Sequence, residues 1–171
     1  SMTSRCWLLV GLVALGGSGC AGYKLGPVNG LAAGEKSVQI NPFANKTLEP
    51  RLGDAVTVQL RKELQRDATY HLASHNDGDI VVSGTINHYV RYQVSAAATD
   101  VLTAADYRLE MRAQVTARDR SSGKLILDQP VTGTVIIRVT EDLTSAERQA
   151  LPLLAADLAK NVTALLAEGA W

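Results

Sequence analysis

His71, His75 and His88, the three histidines of the chain, are the side chains that most invite a catalytic or metal-binding reading. His71 and His75 stand four residues apart with Asp77 and Asp79 close behind. On a helix that spacing would bring two imidazoles to one face, beside carboxylates that could share a metal ion. The surrounding sequence does not read as helix. "TYHLAS" (Thr69 to Ser74) has the character of a short strand, and "HNDGD" (His75 to Asp79) has turn chemistry, so the two rings should diverge. His88 falls on the apolar side of its own alternating segment, where a hydrogen-bonded structural histidine is expected. No glycine loop follows a strand to open a helix, no nucleophile elbow occurs, and no spacing sets Ser, His and Asp into a triad. The expectation is a protein without catalytic residues, metal or cofactor.

A second set of residues points to contact chemistry. Tyr89, Arg91, Arg108, Arg112, Arg118 and Arg138 fall at alternate positions of strand-like segments, on the side expected to face away from the core, and Ile136 joins them. Arginine offers a rigid fork for phosphates and carboxylates, and tyrosine supplies contact area. Such a face is either an ordinary solvated surface or a contact surface for a ligand or partner. The pattern is compatible with both.

Cys20 is the third candidate. It follows Arg5, the apolar run "CWLLVGLVAL" (Cys6 to Leu15) and the small residues "GGSG" (Gly16 to Gly19). Ten apolar residues cover only about half a bilayer at 1.5 Å per residue, so the run is too short for a membrane anchor and has the form of an export signal. The small residues before a cysteine resemble the bacterial lipobox, where the thiol receives a diacylglyceryl group before cleavage. Ser18, Gly19 and Cys20 match, and Gly17 stands where Leu is commonest. The expected organisation is a signal peptide over 1–19, a lipidated N-terminus and tether over 20–35, and a single domain over 36–171. Two or more acyl chains give stable anchoring where one does not. Ala21 stands where an Asp would typically retain a lipoprotein in the inner membrane, so the expected site is the outer membrane, lipid-anchored on the periplasmic side.

Charge narrows the partners. The chain has 17 Lys plus Arg and 17 Asp plus Glu in 171 residues, so its net charge is zero. Nucleic acid as the main partner needs a basic excess, and none is present. A chain of this length buries about 68–70% of its unfolded surface, enough for a core without a disulfide or metal.

The elements that must position these residues follow from periodicity. "SVQI" (Ser37 to Ile40) is a candidate strand, and "NPFANKTLEP" (Asn41 to Pro50) a loop. Leu52, Ala55, Val56, Leu60 and Leu64 then recur at helical spacing. In "DIVVSGTINHYVRYQV", Ile80, Val82, Ile86 and Val90 share one expected face, with Ser83, Thr85, Asn87, Tyr89 and Arg91 on the other. In "DYRLEMRAQVTARD" the apolar set runs Tyr107, Leu109, Met111, Ala113, Val115, Ala117. A third segment carries Leu125, Leu127, Val131, Val135, Ile137 and Val139, and Pro130 should break it, bulge it or place it at an edge. "TSAE" (Thr144 to Glu147) has capping-box spacing, and Leu151, Leu154, Ala155, Leu158, Val162, Leu165 and Leu166 form the stripe of a helix of about four and a half turns. Pro152 should kink that helix or mark its first turn. The order defines an α+β two-layer sandwich with a mostly antiparallel sheet covered on one face by helices.

Taken together, "CAGYKL" (Cys20 to Leu25), "NPFANKTLEPRL" (Asn41 to Leu52), "ADYRLEMRAQV" (Ala105 to Val115) and "RQALPLLAADLAKNV" (Arg148 to Val162) resemble the lipopolysaccharide-assembly lipoprotein family, LptE type. The resemblance implies two helices packed on a four-stranded sheet. It also implies residence inside a large outer-membrane β-barrel, the LptD-type lipopolysaccharide translocon, as plug and assembly partner, together with binding of lipopolysaccharide. Of the site residues only Cys20 is carried over from the family; Arg91, Arg112 and Arg138 rest on side-chain chemistry. The alternative is an outer-membrane lipoprotein that scaffolds or activates a cell-wall synthase, which would share signal, tether and fold.

Overall fold

The computed structural model describes residues 36–67, 70–95 and 105–168. Cys20, with the expected signal peptide and tether, lies outside the described residues. Chain order is β1 (Ser37–Ile40), β2 (Ala44–Asn45), α1 (Leu52–Arg66), β3 (His71–Leu72), β4 (Ile80–Ser95), β5 (Ala105–Asp119), β6 (Leu125–Val139) and α2 (Leu143–Glu168).

The α+β layering is as expected, but the sheet is not the four-stranded, mostly antiparallel one. Among the described residues it has six strands, in the order β3-β1-β4-β5-β6, with β2 also on β4. β4, β5 and β6 are long antiparallel neighbours, whereas β1 pairs β3 and β4 in parallel and β2 pairs β4 in parallel. The cause is α1. A chain that leaves β1, passes through a helix and re-enters the sheet at the same end can only add parallel strands.

α1 buries Leu52, Val56, Leu60 and Leu64 completely. Its Thr57 hydroxyl donates to the Gly53 carbonyl at 2.8 Å and accepts from the Phe43 N–H at 3.0 Å, which ties the preceding loop to the helix. α2 is longer than its apolar stripe suggests, 26 residues with Pro152 inside it. The expected capping box is also corrected. Asp142 caps α2, accepting from the Thr144 and Ser145 N–H groups at 3.1 and 3.3 Å, because an Asp one residue before the helix reaches both free amides. Glu147 is thereby released for other contacts.

α2 lies against β6, and α1 packs on α2. Gly133 allows the close approach. A Cβ there would sit 2.8 Å from the Leu158 amide nitrogen and 3.0 Å from the Leu154 carbonyl oxygen. β6 is an edge strand, as Pro130 anticipates. Two of its outward backbone groups are satisfied by side chains of α2: Asp157 accepts from the Thr134 N–H at 2.8 Å, and Asn161 donates to the Thr132 carbonyl at 2.7 Å. Such cover blocks pairing with a foreign strand along that stretch. α2 is long and apolar enough to cross a membrane by length and composition, but half of the qualifying window is buried within the fold.

Candidate interaction surface

The polar face of the sheet is decided by one residue. Ile86 pairs Ala113, but His88 pairs Arg112 and Tyr89 pairs Met111, so Asn87 is an extra residue in β4. A bulge of this kind reverses the facing of the residues that follow, here as far as Gln93, where the register shifts again. The expectation is corrected at four positions. His88 and Val90 lie on the open face, opposite Arg112 and Glu110, while Tyr89 and Arg91 lie on the side of the helices, opposite the buried Met111 and Leu109.

There the released Glu147 receives them. The Tyr89 hydroxyl donates to Glu147 Oε1 in a very short hydrogen bond, and Arg91 Nη1 pairs with Oε2 at 2.6 Å. Burial, followed by the bond to the Glu147 carboxylate, pushes the Tyr89 hydroxyl far above the usual phenol range. The same groups border a cavity of about 430 Å³ whose other wall is the loop of Lys46, Thr47, Leu48 and Glu49.

On the open face the register sets up three-residue rungs across β4, β5 and β6: His88, Arg112, Thr132; Val90, Glu110, Thr134; Tyr92, Arg108, Ile136. Arg138 follows beside Asp106. Most of the expected cations have partners. Arg112 lies 3.5 Å from Glu110, and Arg138 holds Asp106 through two bonds of 2.9 and 3.3 Å, which raises the affinity of its guanidinium for the proton. Arg118 donates to the Gly123 carbonyl in the β5–β6 turn at 2.7 Å. Arg108 has no carboxylate partner among the described residues and sits 5.6 Å from the centre of the Tyr92 ring. Around it Tyr92, Val94 and Ile136 are exposed, Ile136 to 65%. Leu125, expected on the covered side, is exposed opposite Arg118 because the β5–β6 register also shifts at Ala117.

Arg120 was not singled out by its pattern. It holds the other end of the sheet together, donating to the carbonyls of Gly78 at 2.7 Å and Asn76 at 2.9 Å and to the Gln39 side chain. Its signal is weak, because a cation at a turn usually reads as solvated. His71 and His75 are exposed. Among the described residues no group of three or more His, Cys, Asp or Glu side chains is placed to hold a metal ion.

An open, cation- and aromatic-bearing sheet face backed by a helix layer defines an α+β domain whose distinctive chemistry lies on its surfaces. The family model for lipopolysaccharide assembly, LptE, matches residues 35–166, and the chain belongs to that family. Sequence comparison with curated proteins gives no match. Among solved structures, a candidate lipoprotein from Caulobacter crescentus is similar at 16% identity and TM-score 0.51, over 74% of this chain and 88% of that one. A minor lipoprotein from Acinetobacter baumannii is similar at 18% identity and TM-score 0.48, over 78% and 93%. At such identity the Caulobacter likeness is one of fold.

Proposed function

We propose that this chain is a non-catalytic outer-membrane lipoprotein, cleaved before Cys20, lipidated there and tethered by residues 20–35. Its domain plugs and helps to assemble an LptD-type lipopolysaccharide-transport β-barrel and binds lipopolysaccharide during insertion. The observation that carries this reading is the family match over residues 35–166. The open sheet face supports it with chemistry suited to an anionic glycolipid. Arg108, without a carboxylate partner among the described residues, offers a fork for a lipid A phosphate, Tyr92 and Ile136 offer apolar area, and the exposed guanidiniums of Arg112 and Arg138 can reach a phosphate beside their half-buried carboxylate partners. Zero net charge is compatible with this, since a local cationic group binds the phosphate.

The geometry supports unequal roles for the candidate residues. Arg108 with Tyr92 is the leading glycolipid contact, flanked by Arg112 and Arg138. Tyr89 and Arg91 act first through Glu147, and Arg118 through its turn.

The test is affinity purification of the full-length lipoprotein from detergent-solubilised outer membrane of its own host, with mass identification of what is recovered. A stoichiometric large β-barrel supports the reading. Recovery of a cell-wall synthase without a barrel overturns it in favour of the scaffold alternative. For the glycolipid arm, Arg108→Glu should weaken lipopolysaccharide binding with unchanged melting temperature; wild-type binding by this folded variant removes the open face from the account.

A further inference from the structure

Exposed large apolar side chains occur on two sides of the domain. One is the open sheet face. The other is the helix side, where Leu48 is fully exposed, Leu153 is exposed to 61% and Val58 to 47%.

Leu48 sits at the crest of a loop that is built, not slack. The Lys46 N–H donates to the Ile86 carbonyl at 2.8 Å. The Thr47 N–H and hydroxyl donate to Asn45 Oδ1 at 3.0 and 2.7 Å, and Asn45 Nδ2 donates to the Glu49 carbonyl at 2.7 Å. The loop ends at Arg51, the only non-glycine residue among those described with positive φ, at 70°. A left-handed backbone at a residue with a Cβ is disfavoured and persists only where its surroundings impose it.

Two clefts flank this ridge. On one side is the cavity bordered by Tyr89, Arg91 and Glu147. On the other is an open cleft of about 480 Å³ between α1 and α2, with Ala55, Val58, Leu151 and Pro152 as its apolar wall and Arg51, Asp54 and Arg148 among its polar groups. Neither Arg51 nor Arg148 makes a side-chain hydrogen bond or ion pair among the described residues; Arg148 acts on Asp142 only at longer range.

We infer that this ridge and its α1–α2 cleft form the face on which a protein partner docks, seating Leu48 in an apolar socket ringed by carboxylates that pair with Arg51 and Arg148. A pinned loop that holds a leucine wholly in water has already met the ordering cost of binding. A few side chains seated in well-packed pockets carry most of the energy of a protein interface, arginines prominent among them. A protruding side chain beside an open, shallow cleft suits a shaped protein surface better than an acyl chain, which gains most from enclosure. Two guanidiniums against the single carboxylate of Asp54 give this cleft a cationic excess that an acidic partner surface complements. The inference rests on the barrel reading above and assigns a different surface to the barrel than to the glycolipid.

The experiment uses the full-length lipoprotein, purified with its barrel from host outer membrane in detergent, as wild type, Leu48→Asp, Arg148→Glu and Arg108→Glu. Leu48→Asp and Arg148→Glu should each lower the recovered barrel about tenfold or more, with melting temperature and lipopolysaccharide binding unchanged. Arg108→Glu should recover the barrel as wild type does. Wild-type recovery by both ridge variants overturns this inference and leaves the barrel reading intact. A wild-type chain that recovers no barrel overturns both. Loss of binding to anionic-lipid vesicles by the ridge variants, with barrel recovery intact, would make the surface lipid-facing and overturn the protein partner.

Discussion

β4 is a single strand whose two halves follow opposite rules. From Ile80 to Ile86 it is held on both edges, by β1 and β2 on one side and β5 on the other, and Ile80, Val82 and Ile86 are fully buried. From His88 to Gln93, β5 is its only strand neighbour among the described residues. There the side chains directed to the helix side are Tyr89 and Arg91, which end in polar groups and are pinned by Glu147. Alternation predicts facing only while register holds. One inserted residue reverses it without altering the apolar-polar rhythm of the sequence.

The largest effect should separate the two halves directly. Ile86→Ala empties a fully buried site and should cost about 2–5 kcal/mol, whereas Val90→Ala, on the open face, should stay within about 0.5 kcal/mol. Urea unfolding of both variants measures this, and equal losses would mean that the two residues share a face after all.

A smaller loss is expected at the tie that stabilises the far half. Glu147→Ala strips the Tyr89 hydroxyl and the Arg91 guanidinium of their acceptor and should cost about 1–2 kcal/mol, moderated because Arg91 is partly exposed to water. Tyr89→Phe should lose part of the same energy, so the double mutant should fall short of the sum. Additive losses would deny the coupling.

Titration tests the near half, where the buried phenol and the acid turn both sit. The Ser122 N–H, with the Ser121 hydroxyl next in effect, holds the Asp119 carboxyl down to about 2 from an ordinary 3.8. A depressed carboxyl favours the native state above its ordinary value, and that contribution should fade as pH falls from 3.8 toward about 2. Burial, with Asp67 second, pushes the Tyr70 hydroxyl up to about 12 from 10.0, so its contribution holds below pH 10 and should be lost as pH rises toward about 12. Circular dichroism melts across both windows read these slopes. Asp119→Asn that leaves the acid slope unchanged would discard the first assignment, and Tyr70→Phe with an unchanged alkaline slope the second.

The smallest effect concerns the start of α2. Asp142→Ala should lower the melting temperature, and Thr144→Ala should leave it alone. The reverse result would restore the capping box and take Glu147 away from Tyr89.

Much of the architecture was readable from local pattern. Leu52, Val56, Leu60 and Leu64 declare α1, the alternation in Ala105–Asp119 declares β5, and Pro130 announces an edge. β1 and β3 fall where strands were expected, but β2, two residues inside an expected loop, and the parallel pairing of all three depend on neighbours distant in the chain. The candidate surface was half legible. Arg108, Arg112 and Arg138 lie on the open face as their spacing indicates, but their carboxylate partners are set by register across strands. The Leu48 ridge escaped notice because a leucine inside a polar loop carries no periodic signal.

The sequence alone determined the α+β order of elements, the helix stripes and the residues available for contact, because these depend on periodicity within one segment. Only the tertiary structure decided which side Tyr89 and Arg91 face, which arginines lack a carboxylate partner among the described residues and where Leu48 stands. Those outcomes follow from a bulge, from pairing between distant segments and from the approach of α2 to β6, none of which is local in the chain.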